Sequence, residues 1–394
     1  MMVSSLAPTG ARGRIEELDV LRGFALFGVF IVHFVGVNFY ELPMPEAVRA
    51  SWEASPLQHG AAVLSDVFFQ NKANTLFATL FGMGFWLMIE RLRARADSSV
   101  SVYLRRLTVL LFIGAINLFL IIPGDVLFEY ALLGFALYAL RGLPAWAMLA
   151  LGIGLAFFGE PLGDQLAAAL SSEENEGPAP EGYGDDLYWY WVVLSAQSFY
   201  QNNIVGAGGA GWMLYLFGRF LIGAWIMRQA WAANLSAHRS VIGRVAMIAV
   251  PVGVLLETAS LLIFKEWVPG PSWVEQVCHA VGAPLLAAGY AALLVFVFTS
   301  AATRGWVSWF APVGRMALTS YIAHGLVLAL IFLPLGPELT GVVTPVAGMG
   351  IAIGLFLILT IFSALWLRGL THGPLEYLWR WATYGTRPQF RRLA

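Results

Sequence analysis

Ten residues separate Arg22 from His33 in a run that opens Leu18-Asp19-Val20-Leu21-Arg22-Gly23 and closes His33-Phe34. On a helix, eleven steps of about 100° make three turns plus about 20°, so both side chains share one face, roughly 16 Å apart along the axis. A guanidinium grips anionic oxygens, and an imidazole titrates near neutrality and serves as a general base. The residues between them are apolar, so this helix has to span a membrane, where ionisable side chains are costly and usually functional. The structural alternative is that Arg22 snorkels to the surface and His33 caps a loop.

Four other residues suit the same chemistry. Asp66 or His324 could hold the His33 ring in one orientation. Asn117 could donate a hydrogen bond to a developing oxyanion. His59, in the loop before the second apolar segment, faces either the same cavity mouth or water. Arg105, Arg106 and Arg315, with Arg22, are the arginines nearest to segment ends; they are suited to phosphates, and they also serve topology.

The elements that must position these residues are membrane helices. The chain has 394 residues, 59% hydrophobic and only 12% charged, against about 25% charged in a soluble domain. Apolar segments long enough to span occur at about ten places: 18–40, 62–89, 103–122, 125–141, 143–160, 211–231, 241–264, 275–299, 311–333 and 343–367. The predicted class is all-α: one polytopic transmembrane domain over 1–394. A tight Pro123-Gly124-Asp125 turn joins the third and fourth segments. Arginines fix the orientation. They precede the first segment (Arg12, Arg14), lie between the second and third (Arg91 to Arg106), and follow the fourth, sixth, eighth and last. The opposite loops hold only Arg49 and Lys265, so both termini are expected in the cytoplasm. Cys278 is the single cysteine, which excludes a disulfide framework and a cysteine metal site; no metal is expected.

Depth along each segment, at about 1.5 Å per residue, puts His33, Asn117, Arg219, Glu257 and His324 about 8–14 Å below the outer surface. Asp66, Lys72, Asp125, Glu129 and His279 fall at the outer starts of their segments or slightly deeper. A lipid-facing charge would cost roughly 2.5–3.5 kcal/mol on insertion scales, so this layer is expected to line a cavity open outward. Arg219 and Glu257 are expected to form an ion pair. The segment 160–210 is the long outer loop, acidic first and then Tyr188-Trp189-Tyr190-Trp191. It reads as an interfacial aromatic helix, or as a lid offering aromatic faces to a sugar. The glycine run at 206–211 reads as a hinge. The tail 371–394 reads as an amphipathic helix on the cytoplasmic face.

Five ordered motifs carry a resemblance. Leu18-Asp19-Val20-Leu21-Arg22-Gly23-Phe24-Ala25, Lys72 with Phe77-Ala78-Thr79-Leu80-Phe81-Gly82-Met83-Gly84, Gly124-Asp125-Val126-Leu127, Gly314-Arg315-Met316-Ala317-Leu318-Thr319-Ser320-Tyr321 and Gly373-Pro374-Leu375-Glu376-Tyr377-Leu378-Trp379-Arg380 together resemble the YeiB-type membrane protein family. Its C-terminal region corresponds to 225–394. That family is similar to the lysosomal heparan-α-glucosaminide N-acetyltransferase, within a transmembrane acyltransferase superfamily in which an Arg-x10-His pair on the first span is a hallmark.

The resemblance implies a multi-pass protein of a bacterial inner membrane. It would pass an acyl group, acetyl among them, from cytoplasmic acyl-CoA to an extracytoplasmic or membrane-embedded acceptor such as a sugar. His33, Asp66, His59, His324 and Asn117 are the catalytic candidates; Arg22, Arg105, Arg106 and Arg315 would hold the donor. Expected partners are membrane lipids and a small-molecule or glycan acceptor, with a homodimer left open and nothing pointing to nucleic acid. The chain departs from the family pattern, which usually has Asn at the His33 position, often His at the Asn117 position, and Gln near His324. In the lysosomal enzyme the catalytic histidine precedes the second span, where the nearest residue here is His59. The rival reading is a transporter or channel for a small polar or anionic solute, with the same buried layer as its binding site.

Overall fold

The computed structural model describes residues 15–36, 46–93, 99–122, 124–170, 187–200, 208–332 and 341–391. In chain order the helices are α1 (Glu16–Gly36), α2 (Glu46–Ala54), α3 (Pro56–Phe68), α4 (Lys72–Arg93), α5 (Ser99–Ile116), α6 (Leu127–Ala139), α7 (Ala145–Leu170), α8 (Leu187–Phe199), α9 (Gly208–Met227), α10 (Arg239–Phe264), α11 (Ser272–Phe298), α12 (Gly305–Ser308), α13 (Ala311–Arg315), α14 (Ala317–Phe332), α15 (Pro345–Gly369) and α16 (Pro374–Tyr384). No strand occurs among the described residues beyond one isolated bridge between Leu370 and Arg391. Among the described residues, eight helical stretches are long and apolar enough to cross a membrane. Two shorter apolar helices, Leu127–Ala139 and Ala317–Phe332, fall where the fourth and ninth segments were expected. The protein is an all-α polytopic membrane protein.

Three expected segments are broken, each for a local reason. The second divides at Asn71, which adopts φ 62°; asparagine tolerates this left-handed region because its short amide bonds locally. The break ends α3 and restarts the chain as α4 at Lys72. It also puts His59 inside α3 rather than in a loop. The third segment ends in a π-helical turn, Asn117–Ile121, and Gly124 at φ 74° then reverses the chain into α6. The ninth is divided at Met316 between α13 and α14. The glycine run is not simply a hinge: Gly208 onward belongs to α9, and Gly211 lets α9 approach the Glu160 carbonyl of α7 so closely that a Cβ there would lie 2.9 Å from it.

Helix α1 occupies the middle of the bundle, touching α3, α4, α11, α13, α14 and α15. Leu26, Phe30, Ile31 and Phe34 are fully buried. By contrast Met247, Ile248 and Leu255 of α10, and Ile358 and Ile361 of α15, stay exposed, the pattern of a face turned to lipid. Two glycines let α13 lie directly on α1. A Cβ on Gly314 would fall 1.8 Å from the Asp19 carbonyl oxygen, and one on Gly23 would fall 2.1 Å from that of Phe310. Both obstacles are backbone, which cannot swing aside. Gly314→Ala should therefore destabilise the protein by about 1–3 kcal/mol or more, seen as a lowered melting temperature in detergent; an unchanged melting temperature would refute this packing.

The arginines gather at one end. Arg93 donates to the Arg141 carbonyl (3.3 Å) and Arg228 to that of Leu143 (2.7 Å). Arg304 bonds Glu16. The tail helix α16 closes the same end. Glu376 accepts from the Leu318 and Thr319 amides (2.8 and 3.1 Å) and from the Thr319 hydroxyl, so its carboxylate caps the open N-terminus of α14. Burial pushes the Glu376 carboxyl above its ordinary range against the pull of those donors.

Candidate active site

At the other end α1 and α14 bring two imidazoles together. His33 Nδ1 lies 3.0 Å from His324 Nε2, and His324 Nδ1 lies 2.9 Å from the Tyr321 carbonyl oxygen. A carbonyl only accepts, so His324 Nδ1 carries the hydrogen. With both rings neutral, His324 Nε2 then accepts from His33 Nδ1–H, and His33 Nε2 keeps the basic lone pair. This tautomer follows from the hydrogen-bond network. His324 is fully buried and stacks on Phe30 (4.5 Å, 12°); His33 is half-buried. Of the two groups that could hold the His33 ring, His324 on α14 is the one that bonds it.

The same turn of α14 extends the polar chain. The Tyr321 hydroxyl donates to Asp125 Oδ1, and Asp125 Oδ2 accepts from the Leu127 amide (3.1 Å). Asp125 is buried because Gly124 turns it inward at the start of α6. Asn117 opens the π-helical turn beside it. Its side chain is buried, and neither amide atom makes a well-formed hydrogen bond; Asp125 is a close polar neighbour. Asn117 Oδ1 lies 3.7 Å from where a Cβ on Gly325 would sit. Asn117 and the histidine pair thus flank one short stretch of α14. Outside this corner lies α8. Phe199 meets Phe119 and Phe128 edge-on (5.6 and 5.5 Å), and the Tyr188 hydroxyl reaches the Leu120 carbonyl (3.2 Å). The aromatic segment is therefore a helix seated on the π-helical turn. The acidic stretch 173–186 and Gln201-Asn202-Asn203 lie outside the described residues.

The expected Arg219–Glu257 pair does not form. Glu257 is paired with Lys72, and the ring of His279 lies 3.2 Å from the same carboxylate oxygen. The Asn71 amide bonds His279 Nε2 at 2.8 Å, which leaves the hydrogen on Nδ1 to donate to Glu257. Arg219 instead donates to the Thr75 hydroxyl and the Tyr215 carbonyl, both at 2.9 Å. The reason is register: the first turn of α4 lies between α9, α10 and α11, and Lys72 reaches Glu257 first. Asp66 joins this second cluster, its backbone carbonyl accepting from Lys72 Nζ (2.8 Å). His59 lies apart, its ring beside Trp267 (5.1 Å).

Sequence reading missed the organiser of this layer. Asn71 bonds α11, Lys72 bonds α10, Asn74 accepts from Tyr130 of α6 (2.7 Å), and Thr75 accepts from Arg219 of α9. Four residues thus tie four helices together. The signal was present: Asn71-Lys72-Ala73-Asn74-Thr75 is a dense polar run at the head of an apolar helix.

At the arginine end, Arg22 pairs with Asp19 (3.1 Å). Arg106 lies over the Trp379 ring (3.8 Å). Arg105 approaches the Thr383 carbonyl (3.4 Å). Arg315 ends α13, just before the α14 turn that Glu376 caps. Fold and site thus define a class: a multi-pass α-helical membrane protein with a histidine pair in one half of its bundle and an arginine cluster at the opposite end.

The comparisons narrow the class. A family model described as "Protein of unknown function (DUF418)" matches residues 226–386. The chain is 31% identical to "Uncharacterized protein YxaH" of Bacillus subtilis (strain 168), with 97% of each chain covered. It is 29% identical to "Uncharacterized protein YeiB" of Escherichia coli (strain K12), covering 94% of this chain and 96% of the relative. The chain belongs to the YeiB-type family of membrane proteins.

Proposed function

We propose that the protein is a transmembrane acyltransferase of a bacterial inner membrane. It takes an acyl group, acetyl in the simplest case, from cytoplasmic acyl-CoA and passes it to an acceptor hydroxyl or amine on the far side, a sugar being the favoured class. The observation that carries this reading is the His33–His324 pair: a general base with one nitrogen fixed as donor and the other left as acceptor, on the same helix as Arg22.

His33 Nε2 removes the proton as the acceptor oxygen or nitrogen attacks the thioester carbonyl. The tetrahedral oxyanion then collapses, the carbon–sulfur bond breaks, and the imidazolium returns the proton to the CoA thiolate. His324 positions the base. The Asn117 amide, with no well-formed bond of its own, is the donor for the oxyanion. Roughly 16 Å of helix between Arg22 and His33 is the length that the pantetheine arm has to bridge from phosphates to thioester. Asp66 and His59 have no part in this step.

Purified protein in detergent should bind acetyl-CoA, read by isothermal titration calorimetry, and His33→Ala should bind it with about the same affinity, because His33 acts on the acceptor proton. Absence of any CoA binding by the wild type removes the reading.

A further inference from the structure

Arginines from three distant parts of the sequence gather at the cytoplasmic end of the bundle, around the contact of Arg106 with Trp379. The Arg106 guanidinium of α5 feels the charges of Arg22 on α1 and Arg380 on α16. Like charges gathered in a partly buried place repel one another; Asp19 offsets Arg22, and packing holds Arg106 beside the tail. It does so visibly. Arg106 stacks on Trp379 (3.8 Å), whose indole N–H donates back to the Arg106 carbonyl (2.9 Å). Glu376 anchors the same helix, α16, to the N-terminus of α14. Gly84 of α4 leaves room beside Arg22, since a Cβ there would already lie 3.4 Å from its guanidinium. Arg106 forms no ion pair among the described residues, and its Nε is buried without a hydrogen-bond partner.

We infer that Arg106, Arg22 and Arg380 form a binding site for a phosphate group, with the C-terminal helix α16 as one wall. An anion would relieve the mutual repulsion and take charge-assisted hydrogen bonds from guanidinium planes that stacking has already oriented. For the donor's identity the inference rests on the acyltransferase reading, in which the phosphates belong to the nucleotide end of acyl-CoA. The chemistry of the site is shared by an anionic lipid headgroup. The inference adds Trp379 and Arg380 to the binding groups and turns the tail from an amphipathic surface helix into part of a site.

The full-length protein should be titrated with adenosine 3′,5′-bisphosphate in uncharged detergent, and its melting temperature compared in phosphatidylcholine nanodiscs with and without phosphatidylglycerol. In whichever arm the wild type responds, Arg106→Gln and Arg380→Gln should each weaken the response about ten- to a hundredfold. Arg106→Lys should recover part of it, and Arg387→Gln, exposed beyond the end of α16, should behave as wild type. A response to the nucleotide fits the donor reading. A response to phosphatidylglycerol alone upholds the phosphate site while withdrawing its support from the acyl-CoA donor. No response from the wild type in either arm, or Arg380→Gln and Arg106→Gln responding like wild type, overturns the inference.

Discussion

Replacing His33 by alanine should lower acyl transfer by about 10²–10⁴-fold, the range a positioned general base supplies, while acyl-CoA binding is retained. His324 sharpens the prediction because its role is to fix the His33 tautomer. Its Nε2 accepts from His33 Nδ1 at 3.0 Å, and a glutamine side-chain oxygen can accept in the same way. His324→Gln should therefore retain most of the activity. His324→Leu, which fills the space but accepts nothing, should approach the His33→Ala level. Steady-state rates of free-thiol release with an acceptor present make the comparison. Equal loss in His324→Gln and His324→Leu would show that packing against Phe30, not hydrogen bonding, is what His324 supplies.

Substituting Lys72 by methionine should destabilise the bundle by about 3–5 kcal/mol, because it leaves the buried Glu257 carboxylate without its cation. Lys72 and Glu257 are both almost wholly inside the protein, and Glu257 Oε1 already lacks a hydrogen-bond partner. His279 alone cannot replace it, since its ring reaches Glu257 through a single contact, Nδ1. The double variant Lys72→Met with Glu257→Leu removes both charges and should recover most of the lost stability, as apolar replacements of buried pairs commonly do. Unfolding titrated with SDS in mixed micelles reads the series. A double variant no more stable than Lys72→Met would mean that the cluster is held by Asn71, Thr75 and Tyr130 rather than by the ion pair.

Which parts of this architecture could be read in the sequence follows from the kind of information each part needs. Apolar segment length is local, so the ten segments fall close to ten observed apolar helices or helix pairs. The Arg22/His33 face is also local, a matter of steps along one helix. Depth counting brought His33, His324 and Asn117 into one layer because distance along a helix converts directly to height. It could not choose partners at equal height, which depends on helix rotation and order around the bundle. Arg219 and Glu257 share a depth, yet Lys72 takes Glu257 because α4 stands between them. The break at Asn71 escaped notice because a single left-handed asparagine leaves little trace in an apolar run. Without it Lys72 looks like one charge inside a long apolar helix rather than part of a polar hub. Gly23 and Gly314 are clear only in hindsight: each removes a Cβ that would strike backbone in a helix almost three hundred positions away.

Sidedness and chemistry meet in one measurement. Proteoliposomes carrying the wild type would receive acetyl-CoA, labelled in the acetyl group, at the arginine-rich face, with glucosamine enclosed as the acceptor probe. The account predicts labelled acetyl-glucosamine in the lumen, free CoA thiol outside, and neither with His33→Ala. Uptake of glucosamine or another polar solute with the acetyl label still on CoA, or transfer by His33→Ala at the wild-type rate, would contradict it.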